Sequence, residues 1–210
     1  MREKLIVIGA ATPTIIRVVD DLAQAGRAIE IVGFLDNAYQ SLGKSFFGFE
    51  ILGGFDAIQK FRSGDVVLIN TIAGTIANRV ETTEHFLTRG YRFTNVTHPG
   101  VNTHYVTMGT GNLIYENALI QPFVTIGNHC VISSNSGIAH ESSVGDYCFV
   151  GPASYICGKV VVEEKVYIGT GSKILPRLKI GKGAHVGPGA LVHKSIADGQ
   201  RVMGTAARAI

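Results

Sequence analysis

The sequence predicts two folds in series: a small Rossmann-like α/β domain with a parallel sheet over residues 1–95, and an all-β parallel helix over residues 96–210. Three observations carry that reading. Strand-like and helix-like segments alternate through the first half, a branched aliphatic residue recurs at every sixth position through the second, and 26 glycines with no tryptophan mark a chain of many tight turns. Hydrophobic residues make up 46% of the 210, enough for a sizeable core and too many for a disordered chain.

In the first half, Lys4–Gly9 (KLIVIG) reads as a buried strand. Thr14–Gln24 has helical spacing, with Ile15, Val18, Val19 and Leu22 on one face. Ile29–Leu35 (IEIVGFL) is a second strand that ends at Asp36 and Asn37. Phe55–Phe61 is a short helix, Asp65–Asn70 a third strand, Thr75–Thr88 a second long helix and Arg92–Val96 a last strand. Strands that alternate with helices form a parallel sheet with helices on its faces. Ligands bind such sheets at the carboxyl ends of the strands, so Gly9, Ala10, Asp36 and Asn37 are the candidate acceptor-binding residues.

In the second half, Ile or Val occupies fourteen consecutive positions at steps of six, from Ile114 to Val192. A small or apolar residue lies two before most of them, such as Cys130, Ser136, Cys148, Ser154 and Ala184, and a glycine often follows, such as Gly127, Gly145, Gly151 and Gly169. Each unit is a short strand plus a turn, and three units close one triangular coil of eighteen residues. The branched residue and the small one point inward, and the turn glycines are expected to relieve strained dihedrals. Residues eighteen apart stack at the roughly 4.8 Å spacing of neighbouring strands. Cys130 and Cys148 are therefore expected as stacked core thiols rather than a disulfide. His140 follows Ile138 by two residues, which places it at a corner of the triangle, and Gly158 lies one coil further in the same column.

The repeat resembles the left-handed parallel β-helix of the hexapeptide-repeat acyltransferases, and nearly the whole chain is similar to their sialic acid O-acetyltransferase and nucleotide-amino-sugar N-acetyltransferase group. The motif H-E-x-x-I-G-D stands here as His140-Glu141-Ser142-Ser143-Val144-Gly145-Asp146. The terminal signature stands as Val192-His193-Lys194 followed by Gly204-Thr205-Ala206-Ala207-Arg208. The resemblance implies acyl transfer, with acetyl-CoA as donor and an amino or hydroxyl group of a sugar or nucleotide-linked amino sugar as acceptor. His140 would be the general base and Glu141 would fix its tautomer and orientation; an imidazole suits the task because it titrates near neutral pH. A glycine at 158 leaves room for a pantetheine arm, and its N–H would polarise the thioester carbonyl. Gly169, Thr170, Gly187 and Pro188 would meet coenzyme A along the same edge as Gly158, and Lys194 and Arg208 would meet its phosphates. The family's sites lie between the subunits of a homotrimer. This chain departs from the family at Phe149, where many members carry a second histidine. It departs again in the first turn, Gly9-Ala10-Ala11-Thr12-Pro13-Thr14, which has fewer glycines than theirs and loses a donor at Pro13. Asp36 holds the place of the acidic residue that contacts the base.

Other classes are disfavoured. A net charge of +3 without a basic stripe argues against nucleic acid, and no apolar stretch approaches membrane-spanning length. The apolar run before Pro13 is too short for a signal sequence, which makes the expected address cytoplasmic. A dehydrogenase would need G-x-G-x-x-G after the first strand, and Leu42-Gly43-Lys44-Ser45 lacks the earlier glycine of a P-loop. His129, His140, His185 and His193 fall in four different columns, so no zinc site is expected within one chain. Zinc held between subunits, or a non-catalytic scaffold, are the remaining alternatives.

Overall fold

The computed structural model describes residues 2–72 and 74–204. The chain divides into two compact units, Met1–Pro99 and Gly100–Ile210, where a boundary at 95/96 is expected from the sequence.

Strand β1 (Glu3–Ile8), helix α1 (Thr14–Gln24) and strand β2 (Ile29–Leu35) lie where the apolar spacing puts them, and Ile15, Val18, Val19 and Leu22 of α1 are buried. A short helix α2 (Tyr39–Leu42) leads into a hairpin of β3 (Ser45–Phe46) and β4 (Phe49–Gly53), which the sequence reading did not anticipate. The hairpin turns on Phe47 and Gly48, with φ of 46° and 87°. Two consecutive positive φ values characterise a two-residue hairpin turn, ordinarily signalled by Asn-Gly or Asp-Gly rather than Phe-Gly. β4 runs parallel to β2, and Gly33 allows the approach: a Cβ there would lie 2.8 Å from the Glu50 carbonyl oxygen. After a 3₁₀ helix at Phe55–Lys60 come β5 (Val67–Asn70), α3 (Ile76–Leu87) and β6 (Arg92–Phe93). The sheet order is β3-β4-β2-β1-β5-β6, parallel except for the hairpin. One face of the sheet packs Ile6, Ile8, Leu35 and Leu68 against Ile58, Phe86 and Tyr91.

The second unit is a coil of two-residue strands in three parallel ladders. The first contains Leu119–Ile120, Gly137–Ile138, Tyr155–Ile156, Lys173–Ile174 and Leu191–Val192. The second runs from Thr107–Met108 to Lys179–Ile180, and the third, within this unit, from Leu113–Ile114 to Arg201–Val202. The register is eighteen residues, as in Gly137↔Tyr155 and Ser143↔Val161. Within this unit the ladders begin a rung earlier than the aliphatic series, at Met108. It ends with a shortened turn: Ile196 bridges Ile180 and Val202 pairs with Val186, sixteen residues apart. The aliphatic column from Ile114 to Val192 is buried throughout. Burying each such side chain contributes about 1.5–3 kcal/mol. Cys130 and Cys148 are fully buried free thiols, as expected from their column. Burial, and then the Cys130 thiol, push the Cys148 thiol well above its ordinary pKa, so it is an inert core group. Ser136, Ser154 and Ser172 form a parallel buried stack, each donating to the carbonyl three residues back at 2.6–2.7 Å.

The expectation for the turn glycines needs correction. The left-handed residue at each corner is the third after the inward aliphatic, and it is usually not glycine: Asn117, Phe123, Asn135, Glu141, Lys159 and Arg177 all have φ between 58° and 65°. The glycines that directly follow the aliphatic residue serve another need. A Cβ on Gly145 would lie 2.6 Å from the Glu164 nitrogen, and one on Gly169 would lie 2.6 Å from the Pro188 nitrogen. They are required because the next coil passes too close for a side chain.

Candidate active site

The corner that follows the first ladder carries Pro122, His140, Gly158, Pro176 and Lys194 at successive coils, with Phe123, Glu141, Lys159 and Arg177 beside them. At this corner the His140 N–H donates to Gln121 Oε1 at 2.9 Å, which fixes the peptide that bears the imidazole. The ring lies in the open, its side chain 54% exposed, with Nδ1 3.0 Å from Glu141 Oε1. A carboxylate accepts, so Nδ1 carries the hydrogen and the lone pair is left on Nε2. Glu141 Oε2 is 3.3 Å from Lys159 Nζ, one coil on. The His140 imidazole, and then the Lys159 ammonium, hold the Glu141 carboxyl below its ordinary range, which keeps it ionised as the ring's partner.

Gly158 is placed as its column requires, but the room it creates is already in use. A Cβ on Gly158 would lie 2.8 Å from His140 Nε2 and 2.9 Å from Cε1, so the imidazole itself rests in the notch expected to receive a pantetheine arm. Only a glycine allows the ring to lie there. The Gly158 carbonyl accepts from the Arg177 N–H at 3.1 Å, while no partner is found for the Gly158 N–H among the described residues. A lone pair on Nε2 and a free backbone donor thus sit side by side on an exposed edge. Cys157 is partly exposed beside them, and its carbonyl accepts from Ser142 Oγ at 2.9 Å.

The expected coenzyme residues of the glycine pairs do not share this edge. Gly169–Thr170 and Gly187–Pro188 stack at the corner after the third ladder, and the Gly169 and Gly187 N–H groups already donate to the Val186 and Val202 carbonyls. Lys194 does lie in the His140 column and is exposed, whereas Arg208 lies outside the described residues. Phe149 belongs to a third column, where it stacks on Tyr167 at 4.9 Å, and Tyr167 stacks in turn on His185 at 4.5 Å. The sequence reading missed Lys159 and Gln121, although the step of eighteen from Glu141 to Lys159 is itself a signal.

In the first unit, Gly9, Ala10, Asp36 and Asn37 meet at the carboxyl ends of β1 and β2. Their side chains accept from nearby backbone: Asp36 accepts from the Ala10 N–H at 2.9 Å and the Ala38 N–H at 2.8 Å, and Asn37 Oδ1 accepts from the Phe55 N–H at 2.9 Å. Asn37 also lines an open cleft of about 270 Å³ with Phe55, Asp56, Glu81, Thr82 and His85. Burial, and then the Arg89 guanidinium, lower the pKa of His85, which leaves its ring neutral at physiological pH. Among the described residues no group of three histidine, cysteine, aspartate or glutamate side chains could hold a metal ion.

Residues 105–140 and 159–194 match the family described as bacterial transferase hexapeptide (six repeats). The corner of His140 is built from hexapeptide repeats. No curated protein matches the chain. Among solved structures, the chain is similar to the acetyltransferase domain of PglB from Neisseria gonorrhoeae in complex with acetyl coenzyme A, at 23% identity, 97% coverage of both chains and a TM-score of 0.86. It is similar to PerB from Caulobacter crescentus in complex with CoA and GDP-perosamine, at 23% identity, 96% and 94% coverage and a TM-score of 0.84. It is also similar to WeeI from Acinetobacter baumannii, at 23% identity, 96% and 97% coverage and a TM-score of 0.82. These likenesses establish the fold: a small α/β unit followed by a left-handed parallel β-helix of hexapeptide repeats.

Proposed function

We infer that the protein is a CoA-dependent acyltransferase that moves an acyl group, in the first instance acetyl, to an amino or hydroxyl group of a sugar or nucleotide-linked amino sugar. The observation that carries the reading is the exposed imidazole of His140, whose Nδ1 is held by Glu141 at 3.0 Å and whose Nε2 faces Gly158. Structures of the same fold, the PglB domain with acetyl coenzyme A and PerB with CoA and GDP-perosamine, support the choice of donor and acceptor class.

In this reading, the acceptor nitrogen or oxygen attacks the thioester carbonyl carbon while Nε2 of His140 takes the proton that the nucleophile gives up. Glu141 stabilises the imidazolium that forms. The Gly158 N–H donates to the carbonyl oxygen as it gains negative charge. The C–S bond then breaks, and the departing thiolate recovers a proton from the imidazolium. Direct attack is the reading adopted for this corner: Cys130 and Cys148 are buried, and Cys157, partly exposed beside Gly158, is the one alternative nucleophile, which a Cys157→Ala variant that retains activity would dispose of. Lys194, in the same column, supplies a cation for the coenzyme's phosphates. We place the complete site between the subunits of a homotrimer. The support is an apolar run next to the corner, in which Tyr105 and Phe123 are 74% and 67% exposed with ring centroids 5.8 Å apart, and Leu119 is 52% exposed. Gly9, Ala10, Asp36, Asn37 and the cleft around Phe55 are proposed to hold the acceptor.

Thermal unfolding with increasing acetyl-CoA, paired with a thiol-release assay over a panel of nucleotide amino sugars, tests the reading. Acetyl-CoA is expected to raise the midpoint, because a ligand that binds only the folded state stabilises it, and an acceptor is expected to drive thiol release. No shift at saturating acetyl-CoA would identify a non-catalytic scaffold instead.

A further inference from the structure

The geometry points to Lys159 as the residue that positions the proton-accepting pair: its ammonium holds one oxygen of Glu141 so that the other stays on the His140 ring. This inference rests on the acyl-transfer reading above. Oε1 of Glu141 is 3.0 Å from His140 Nδ1 and Oε2 is 3.3 Å from Lys159 Nζ, so the carboxylate is held at both ends. The Glu141 and His140 side chains are 50% and 54% exposed, which means that packing does not hold them. A long exposed side chain otherwise samples many rotamers, and most of those would carry the carboxylate away from the ring.

The coil sets the ammonium in place. Glu141 and Lys159 both occupy the left-handed corner position, at φ 59° and 61°, one coil apart, so their side chains leave the corner in one column. The Lys159 N–H also donates to the His140 carbonyl at 3.0 Å, which ties its backbone to the peptide bearing the base. A substitution of the Lys159 side chain leaves that backbone bond intact. Pairs that bridge coils elsewhere, Glu163–Lys179 and Glu164–Lys182, provide an internal contrast: their carboxylates hold no imidazole. Exposed ion pairs contribute little to stability, so the consequence of the Lys159 contact falls on the ring it steadies through Glu141.

The test uses Lys159→Met, Lys159→Arg, Glu141→Gln and the double variant Glu141→Gln/Lys159→Met in the full chain. Lys159→Met is expected to lower kcat about tenfold with KM for acetyl-CoA unchanged, and Lys159→Arg to keep most of the activity. Its unfolding midpoint should stay within about a degree of the parent's. In the Glu141→Gln background the Lys159 substitution should change kcat by less than about twofold, because a residue that acts through Glu141 has nothing left to act on. Losses that multiply, or a loss confined to KM, would overturn the inference and make Lys159 a direct substrate contact. The ¹⁵N shifts of the His140 ring provide a readout that does not depend on turnover. The tautomer with hydrogen on Nδ1 is expected to dominate in the parent and to lose population in Lys159→Met; an unchanged population would overturn the inference. A parent that transfers no acetyl group but shows the tautomer change would refute the functional reading and leave the positioning role standing.

Discussion

Two corners of the coil share one backbone and differ in how they use their polar side chains. At the corner after the second ladder, each side chain satisfies the coil before it: Asp146 Oδ1 accepts from the Asn128 N–H at 2.7 Å, and Asn128 Oδ1 accepts from the Thr110 N–H at 3.0 Å. At the corner after the first ladder the corresponding bond runs the other way: the His140 N–H donates back to Gln121 Oε1, in the coil before, at 2.9 Å. The imidazole turns outward onto Gly158, whose N–H finds no partner among the described residues. On the proposed reading, the difference is what would turn a structural corner into a chemical one. A column of carboxamides and carboxylates closes its own hydrogen bonds and becomes inert. A ring set against a glycine leaves a ring nitrogen and a backbone N–H without partners among the described residues.

Substitutions at the two corners should therefore separate turnover from stability. The largest effect is expected for His140→Ala, which should lower kcat by roughly 10²–10⁴-fold with the acetyl-CoA-induced thermal shift retained. Steady-state rates beside a thermal-shift titration check it, and near-normal turnover would erase the distinction between the corners. Gly158→Ala comes next. The new Cβ would meet the His140 ring rather than backbone, and a ring can swing aside; the fold should survive while turnover falls by about tenfold or more. Gly145→Ala is the matched change at the inert corner, where the new Cβ would meet the Glu164 backbone nitrogen at 2.6 Å. That should cost about 1–3 kcal/mol in denaturant unfolding, with turnover per folded molecule unchanged. The smallest effect concerns acid. Lys182 lies beside Glu164 and holds its carboxyl below the ordinary range. A lowered carboxyl pKa stabilises the fold above the unfolded value and loses that contribution as pH falls through the folded one. The unfolding midpoint of the parent should thus decline more between pH 6 and pH 3 than that of Glu164→Gln, by a small margin because the pair is exposed.

The same contrast explains what could be read from the chain. A period of six survives because every coil must bury one branched residue at the same place, so Ile114 through Val192 announce the helix. The ends escape the pattern for physical reasons. Met108 fills the inward position without a branched side chain, and Ile196 and Val202 continue the core after a two-residue shortening that breaks the beat. In the first unit, α1 is legible from its apolar stripe, whereas the β3–β4 hairpin hides behind a Phe47–Gly48 turn. His140 and Gly158 can be paired by column arithmetic, but the occupant of the notch cannot: whether a ring or a ligand fills it depends on a side-chain torsion. The Gly169 and Gly187 donors look available in sequence and are engaged in the ladder. Such bonds depend on which coil lies above, and no local pattern encodes that.

The most direct measurement is a crystal structure with acetyl-CoA bound to the intact assembly. The thioester carbonyl oxygen should lie within hydrogen-bonding distance of the Gly158 N–H, with Nε2 of His140 open to the incoming acceptor. A thioester seated at another corner, with the His140 ring still lying undisturbed in its notch, would contradict the assignment.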